Sequence, residues 1–271
     1  MRPLALVALG IAAIALSATA QTPGAKGDQQ RHYFFADASK EMPYRLYVPQ
    51  SYDPSVAAPL IVALHGYGGN QDYFFNVVET LPQLCEEYGM IFAAPMGLAI
   101  DGWYGAPLSI PGAAPRSSGA PPPTTGRSSD EETRYRAQSE QDVLNVLALV
   151  KEEYKIDPDR VYLIGHSMGG FGTWWLGQKY ASTWAAIAPM SGVLPNVDYQ
   201  IAKLESVPVM VSIGGAEMPE WVAASRKQFE TMRAMGMTAA YFEPEGATHG
   251  GMIAPTTPRV FEFLAKQKRG P

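Results

Sequence analysis

The sequence predicts an α/β fold: a mostly parallel, eight-stranded sheet with helices on both faces. Three observations carry this. Short apolar runs alternate along the chain with longer amphipathic ones, the pattern of strands followed by covering helices. Leu60 to Leu64 is apolar at every position, as a strand buried on both faces must be. The chain has 271 residues, enough for one large α/β domain.

Two opening strands, His32 to Asp37 and Tyr44 to Val48, are close enough in sequence to form a hairpin. Leu60 to Leu64, Met90 to Ala94, Val161 to Ile164, Ala185 to Met190, Val207 to Ser212 and Ala239 to Glu243 complete the eight. Ser139 reads as an N-cap with Asp142 three residues on, close to a capping box. Val143, Val146, Leu147 and Val150 then fall on one helical face. Asp157-Pro158 ends that helix and turns the chain into the strand at Val161. A helix from about Pro219 to Met235 has proline in its first turn and Gly236 at its end. A last helix, from about Thr257 to Lys268, places Val260, Phe261 and Leu264 together.

Residues 1–20 read as a cleavable leader. Arg2 is followed by an apolar run from Leu4 to Leu16 and by Ala18-Thr19-Ala20, with the cut expected after Ala20. That run is too short for a membrane span of roughly 20 apolar residues, and no cysteine follows the cut to carry a lipid anchor. The protein is therefore expected to be secreted or periplasmic. Residues 21–271 are expected to form a single domain. Between 105 and 129 the chain is dominated by glycine, proline, serine and threonine. Such a stretch cannot bury enough apolar surface to order itself and reads as a mobile surface insertion.

The formal charge is −5, and removal of Arg2 leaves 20 basic against 26 acidic side chains, or −6. A mildly acidic chain carries no electrostatic footprint for nucleic acid or anionic membranes. Cys85 is alone, so no intrachain disulfide is possible, and it reads as a small buried helix residue. The four histidines lie far apart, without metal-ligand spacing. Neither a metal nor another cofactor is expected, and the sequence does not constrain the oligomeric state.

The chemistry concentrates in three segments. Gly165-His166-Ser167-Met168-Gly169 follows a predicted strand and precedes a predicted helix. A serine at such a bend is forced into a strained backbone conformation that lifts its hydroxyl clear of the sheet edge. His65-Gly66-Tyr67-Gly68-Gly69 follows the buried strand at 60–64 and can present a backbone N–H to a developing oxyanion. Tyr67 is assigned that donor, with Gly68 the alternative, and the Met168 N–H is the second. The loop lacks the Lys-Ser/Thr ending of a phosphate-binding P-loop. His65 is expected to fix its own loop by hydrogen bonding. The general base is then His249, in the glycine-rich loop after the last strand. The order Ser–acid–His needs an acid between 167 and 249. Glu217, just past the strand at 207–212, is assigned; Asp198, Glu243 and Glu245 are alternatives.

From roughly residue 43 to 265 the chain resembles the α/β-hydrolase group containing feruloyl-esterase-like, polyhydroxybutyrate-depolymerase-like and "predicted peptidase" esterases. The resemblance is carried by Ile156 to Trp174 around the serine, by Ala185-Ala-Ile-Ala-Pro-Met-Ser-Gly, and by Pro208-Val-Met-Val-Ser-Ile-Gly-Gly-Ala-Glu. It departs at Glu217, where the group usually has aspartate. The resemblance implies a serine carboxylic-ester hydrolase acting through an acyl-enzyme on a small-molecule or polymer ester. Trp103, Tyr104 and Trp221 lie in loops beside the expected site and would suit an aromatic or apolar substrate group. Trp174 and Trp175, inside the helix after Ser167, read as packing residues. Peptide hydrolysis by the same residues, or a catalytically inactive binding protein on this fold, are the competing readings.

Overall fold

The computed structural model describes residues 24–107, 127–193 and 200–270. The leader, most of the 105–129 insertion and the alternative acid Asp198 lie outside the described residues.

Among the described residues, eight strands form one sheet: β1 (Gly27–Phe35), β2 (Lys40–Val48), β3 (Ala58–Leu64), β4 (Ile91–Pro95), β5 (Ile156–His166), β6 (Ala186–Met190), β7 (Val209–Ser212) and β8 (Ala239–Phe242). Their order across the sheet is β1-β2-β4-β3-β5-β6-β7-β8. The β1–β2 hairpin and the β2–β4 pair are antiparallel, and every other pairing is parallel. Among the described residues, six α-helices pack on it: α1 (Tyr73–Val77), α2 (Leu81–Tyr88), α3 (Ser129–Glu153), α4 (Met168–Lys179), α5 (Pro219–Ala234) and α6 (Ile253–Ala265).

Strand periodicity divides the core into two layers. Leu60, Val62 and Leu64 of β3 join α3, α4 and α5 on one face, while Ile61 and Ala63 join α1, α2 and α6 on the other. Both faces of β3 to β7 are therefore covered, which explains their continuous apolar sequence. Cys85 is a buried residue of α2.

Several boundaries differ from the sequence reading. β2 begins at Lys40, four residues before Tyr44. α3 ends at Glu153 and β5 begins at Ile156, so Asp157-Pro158 lies inside the strand and is not the turn that leads into it. β1 begins at Gly27, ahead of His32, and ends at Phe35. As an edge strand it covers one face only, so Asp28, Gln30 and His32 alternate into solvent and break the apolar pattern. α3 begins ten residues before the expected cap. Its true cap is Ser128, whose Oγ accepts from the Glu131 N–H while the Glu131 carboxylate accepts from the Ser128 N–H. The polar first turns conceal the helix from an apolar pattern search, and Ser139 is a buried interior residue. α6 starts at Ile253 and contains Pro258; the early turn is stabilised by burial of Ile253 and by the Thr257 hydroxyl donating to its carbonyl.

All parallel strands deliver their following loops to the same edge of the sheet. The order reverses beside β3: the chain steps from β3 to β4 on one side, then crosses by α3 to β5 on the other. A crevice opens at such a reversal, and the 65–69 and 166–169 segments flank it.

Candidate active site

Ser167 sits where β5 turns into α4, with φ 56° and ψ −116°. Its N–H donates to the Met190 carbonyl at 2.9 Å, and its own carbonyl accepts from the Phe171 N–H at 3.0 Å. The bend closes tightly. A Cβ on Gly165 would lie 2.3 Å from the Gly169 carbonyl oxygen, and one on Gly169 would lie 2.0 Å from that of Leu64. Only glycine at both positions lets strand, helix and the end of β3 meet.

The 65–69 loop rests against this bend. A Cβ on Gly66 would be 3.3 Å from His166 Nδ1 and 3.5 Å from the His166 carbonyl oxygen. His65 ties the loop down, with Nδ1 2.8 Å from the Gly66 carbonyl and Nε2 2.8 Å from that of Met96. Burial outweighs these two contacts and lowers the His65 pKa. The Gly68 N–H is engaged with the Ile100 carbonyl at 2.9 Å. Among the described residues, the N–H groups of Tyr67 and Met168 donate to no carbonyl. Met168 is also the first residue of α4, where N–H groups have no intrahelical partner and the helix dipole favours negative charge.

His249 Nδ1 lies 2.9 Å from Glu217 Oε2. The Glu217 side chain is almost fully buried and that of His249 half-exposed. Burial raises the Glu217 pKa, but hydrogen bonds from His249 and Ser191 outweigh it and hold the carboxyl below its usual value. An ionised carboxylate can only accept, so His249 carries its proton on Nδ1 and leaves the Nε2 lone pair available. No hydrogen bond joins Ser167 Oγ to His249 among the described residues; sites without substrate commonly leave this contact open. Glu243 is engaged elsewhere, on Arg226 and Tyr241.

Residues the sequence reading passed over complete the surroundings. The His166 ring lies beside that of His249, with centroids 4.6 Å apart and planes tilted by 51°. Its Nε2 donates to the His249 carbonyl at 2.8 Å, which makes Nδ1 the acceptor of the Tyr73 hydroxyl, also at 2.8 Å. Burial, helped by the neighbouring His249, pushes the His166 pKa down to about 4. An aromatic row also emerges: Trp103–Phe171 at 5.9 Å, Phe171–Trp221 at 6.0 Å and Trp221–His249 at 6.2 Å. Phe171 carries no signal in the sequence beyond one more apolar residue in a buried helix. Tyr104, expected beside the substrate, is instead fully buried: its ring packs against Gly97 and Gly172 and its hydroxyl donates to the His65 carbonyl at 3.1 Å, so it offers no surface to a substrate. Trp174 and Trp175 donate to the Gly192 carbonyl and to Glu140.

The 96–106 loop bearing Trp103 is held by α3. Ser139 Oγ donates to the Gly97 carbonyl and accepts from the Tyr104 N–H. Asp142 accepts from the Tyr33 hydroxyl at 2.5 Å and from the Gly97 and Leu98 N–H groups at 2.6 and 3.3 Å. The near capping box expected at Ser139 and Asp142 is thus a pair of buried clamps. Among the described residues no cluster of histidine, cysteine and acidic side chains is arranged for a metal, and no helix is long and apolar enough to cross a membrane.

Solved structures share this architecture. A thermostable esterase superposes with a TM-score of 0.66 at 23% identity, covering 89% of this chain and 63% of its own. The feruloyl esterase module from Clostridium thermocellum, complexed with sinapinate, gives 0.61 at 16% identity, covering 88% and 86%. These likenesses show the fold, that of the α/β-hydrolases. In sequence, "Putative esterase NocK" of Nocardia uniformis subsp. tsuyamanensis is 26% identical over 162 residues, 59% of this chain and 40% of that protein. The chain thus spans less than half the length of that relative. The family described as "Putative esterase" matches residues 36–239, and the chain belongs to that esterase family.

Proposed function

We propose that this protein hydrolyses carboxylic esters through an acyl-enzyme on Ser167. The observation that carries the reading is the His249–Glu217 hydrogen bond, which sits against His166 beside the strained Ser167 bend, with the Tyr67 and Met168 N–H groups donating to no carbonyl. Ser167 Oγ attacks the carbonyl carbon while His249 Nε2 takes its proton. Glu217 stabilises the imidazolium, and the Tyr67 and Met168 amides receive the oxyanion. His249 then protonates the leaving alcohol. Water, activated by the same imidazole, releases the acid.

The Trp103–Phe171–Trp221 row, which ends at His249, supports an aromatic or otherwise apolar group on the substrate. The feruloyl esterase neighbour with sinapinate bound fits the same choice. Export belongs to this proposal as well: the N-terminus of the mature protein is expected at Gln21.

A fluorophosphonate probe is expected to label the protein stoichiometrically, and Ser167→Ala to abolish both labelling and turnover. Glu217→Gln is expected to lower kcat by about 10³- to 10⁴-fold. Short-chain p-nitrophenyl esters should be cleaved and peptide anilides spared. Folded protein that resists the probe would eliminate the acyl-enzyme, and preferential cleavage of anilides would transfer the site to peptides.

A further inference from the structure

We propose that Ser191, immediately after β6, is a positioning residue for the triad acid: its buried hydroxyl donates to Glu217 Oε1 and orients the carboxylate whose Oε2 meets His249. This rests on the ester-hydrolase reading above and deepens it.

The need for such an anchor follows from Glu217 itself. Glutamate has one more torsion than aspartate, and the terminal torsion that sets the carboxylate plane is soft. His249 cannot hold that plane, because its own side chain is 45% exposed on a loop. The fixed point has to come from the buried side. Ser191 is fully buried, and its N–H is tied to the Ser212 carbonyl at 2.8 Å in the neighbouring strand's end. Its φ of 48° is left-handed, a conformation glycine adopts without strain and serine does not. The strained backbone aims a hydroxyl where glycine would leave none. Because the ionised carboxylate only accepts, Ser191 must be the donor. Ser191 then holds Oε1 and His249 meets Oε2, with a backbone hydrogen bond from Gly214 also reaching the carboxylate. This arrangement lets the longer acid serve at a position where aspartate is usual in the resembling group.

Ser191→Ala and Ser191→Gly test the idea together, assayed on a short-chain p-nitrophenyl ester. Both are expected to lower kcat about 10- to 100-fold, the range of a lost hydrogen bond to a charged group, with KM little changed. Ser191→Gly also relieves the left-handed strain, so it should melt no lower than Ser191→Ala, and its loss of activity cannot be ascribed to a weaker fold. With the carboxylate free to swing away, the His249 imidazolium loses its fixed partner. The acid limb of the kcat/KM profile should therefore move to lower pH, which space-filling alone would not cause. In a Glu217→Gln background Ser191→Ala should add little further loss, because the two act as one unit. Wild-type kcat and an unmoved limb in both Ser191 variants, with Glu217→Gln crippled, would overturn the positioning role alone. Wild-type activity in Glu217→Gln would overturn the triad reading and this proposal together.

Discussion

Two loops beside the site hold a non-glycine residue at nearly the same left-handed φ: Ser167 at 56° and Trp103 at 57°. They are held there by different means. Around Ser167 the restraint is backbone: its N–H and carbonyl are both paired, and Gly165 and Gly169 let three chain segments touch. Around Trp103 and its neighbour Tyr104 the restraint is side chain. Ser139 and Asp142 reach from α3, Lys40 Nζ donates to the Leu98 carbonyl at 2.7 Å, and the Tyr104 hydroxyl reaches the His65 carbonyl. A bend held by backbone contacts has little tolerance for added volume. A loop held by buried polar groups depends instead on keeping every donor and acceptor matched.

The largest effect is expected at the first loop. Gly169→Ala would drive a methyl to 2.0 Å from the Leu64 carbonyl oxygen and 2.8 Å from that of His65. Both obstacles are backbone, so β3 itself must move. A loss of about 4 kcal/mol or more is expected, read by urea denaturation or as failure to fold. Unaltered stability would show that the bend yields, and would remove the first half of the comparison.

Asp142→Asn probes the second loop. The carboxylate accepts three hydrogen bonds from three donors, whereas an amide offers one accepting oxygen and turns its NH₂ toward a donor. Leaving a buried donor unmatched is expected to cost about 2–3 kcal/mol in chemical denaturation. The loop should loosen while the Ser167 bend stays intact, so turnover of aromatic esters should fall further than fluorophosphonate labelling. An equal fall in both would mean that the two loops are not independent.

This contrast also explains what the sequence disclosed. Gly165-x-Ser167-x-Gly169 is a local pattern, and its bend follows from five consecutive residues. Elimination among four histidines points to His249 and a place after a strand points to Glu217, and the structure sets the two 2.9 Å apart. The clamp was not legible. Asp142 looked like a capping partner because its real partners, Gly97 and Tyr33, lie 45 and 109 residues away in sequence. Ser191 and His166 are visible as parts of resembling segments, but nothing local says that one faces Glu217 and the other His249. The start of α3 escaped for the opposite reason: its first turns face solvent, so capping and charge define it and apolar periodicity does not.

The smallest predicted effect concerns pH and belongs to the first loop. His166 is buried with a pKa of about 4, against 6.5 ordinarily. Between those values the unfolded chain binds more protons than the folded one, so stability rises with pH across that window and is lost as pH falls through it. From pH 7 to pH 5 the loss attributable to His166 should be about 2 kcal/mol. Asp142 works in the reverse sense, since burial raises its pKa and lowering the pH relieves a buried charge. Urea unfolding at both pH values, compared between the wild type and His166→Gln, isolates the histidine. The pH-dependent loss should shrink by roughly that amount in the variant. If it persists undiminished, the acid sensitivity of the fold originates outside the Ser167 bend, and the two loops differ in packing but not in their response to protons.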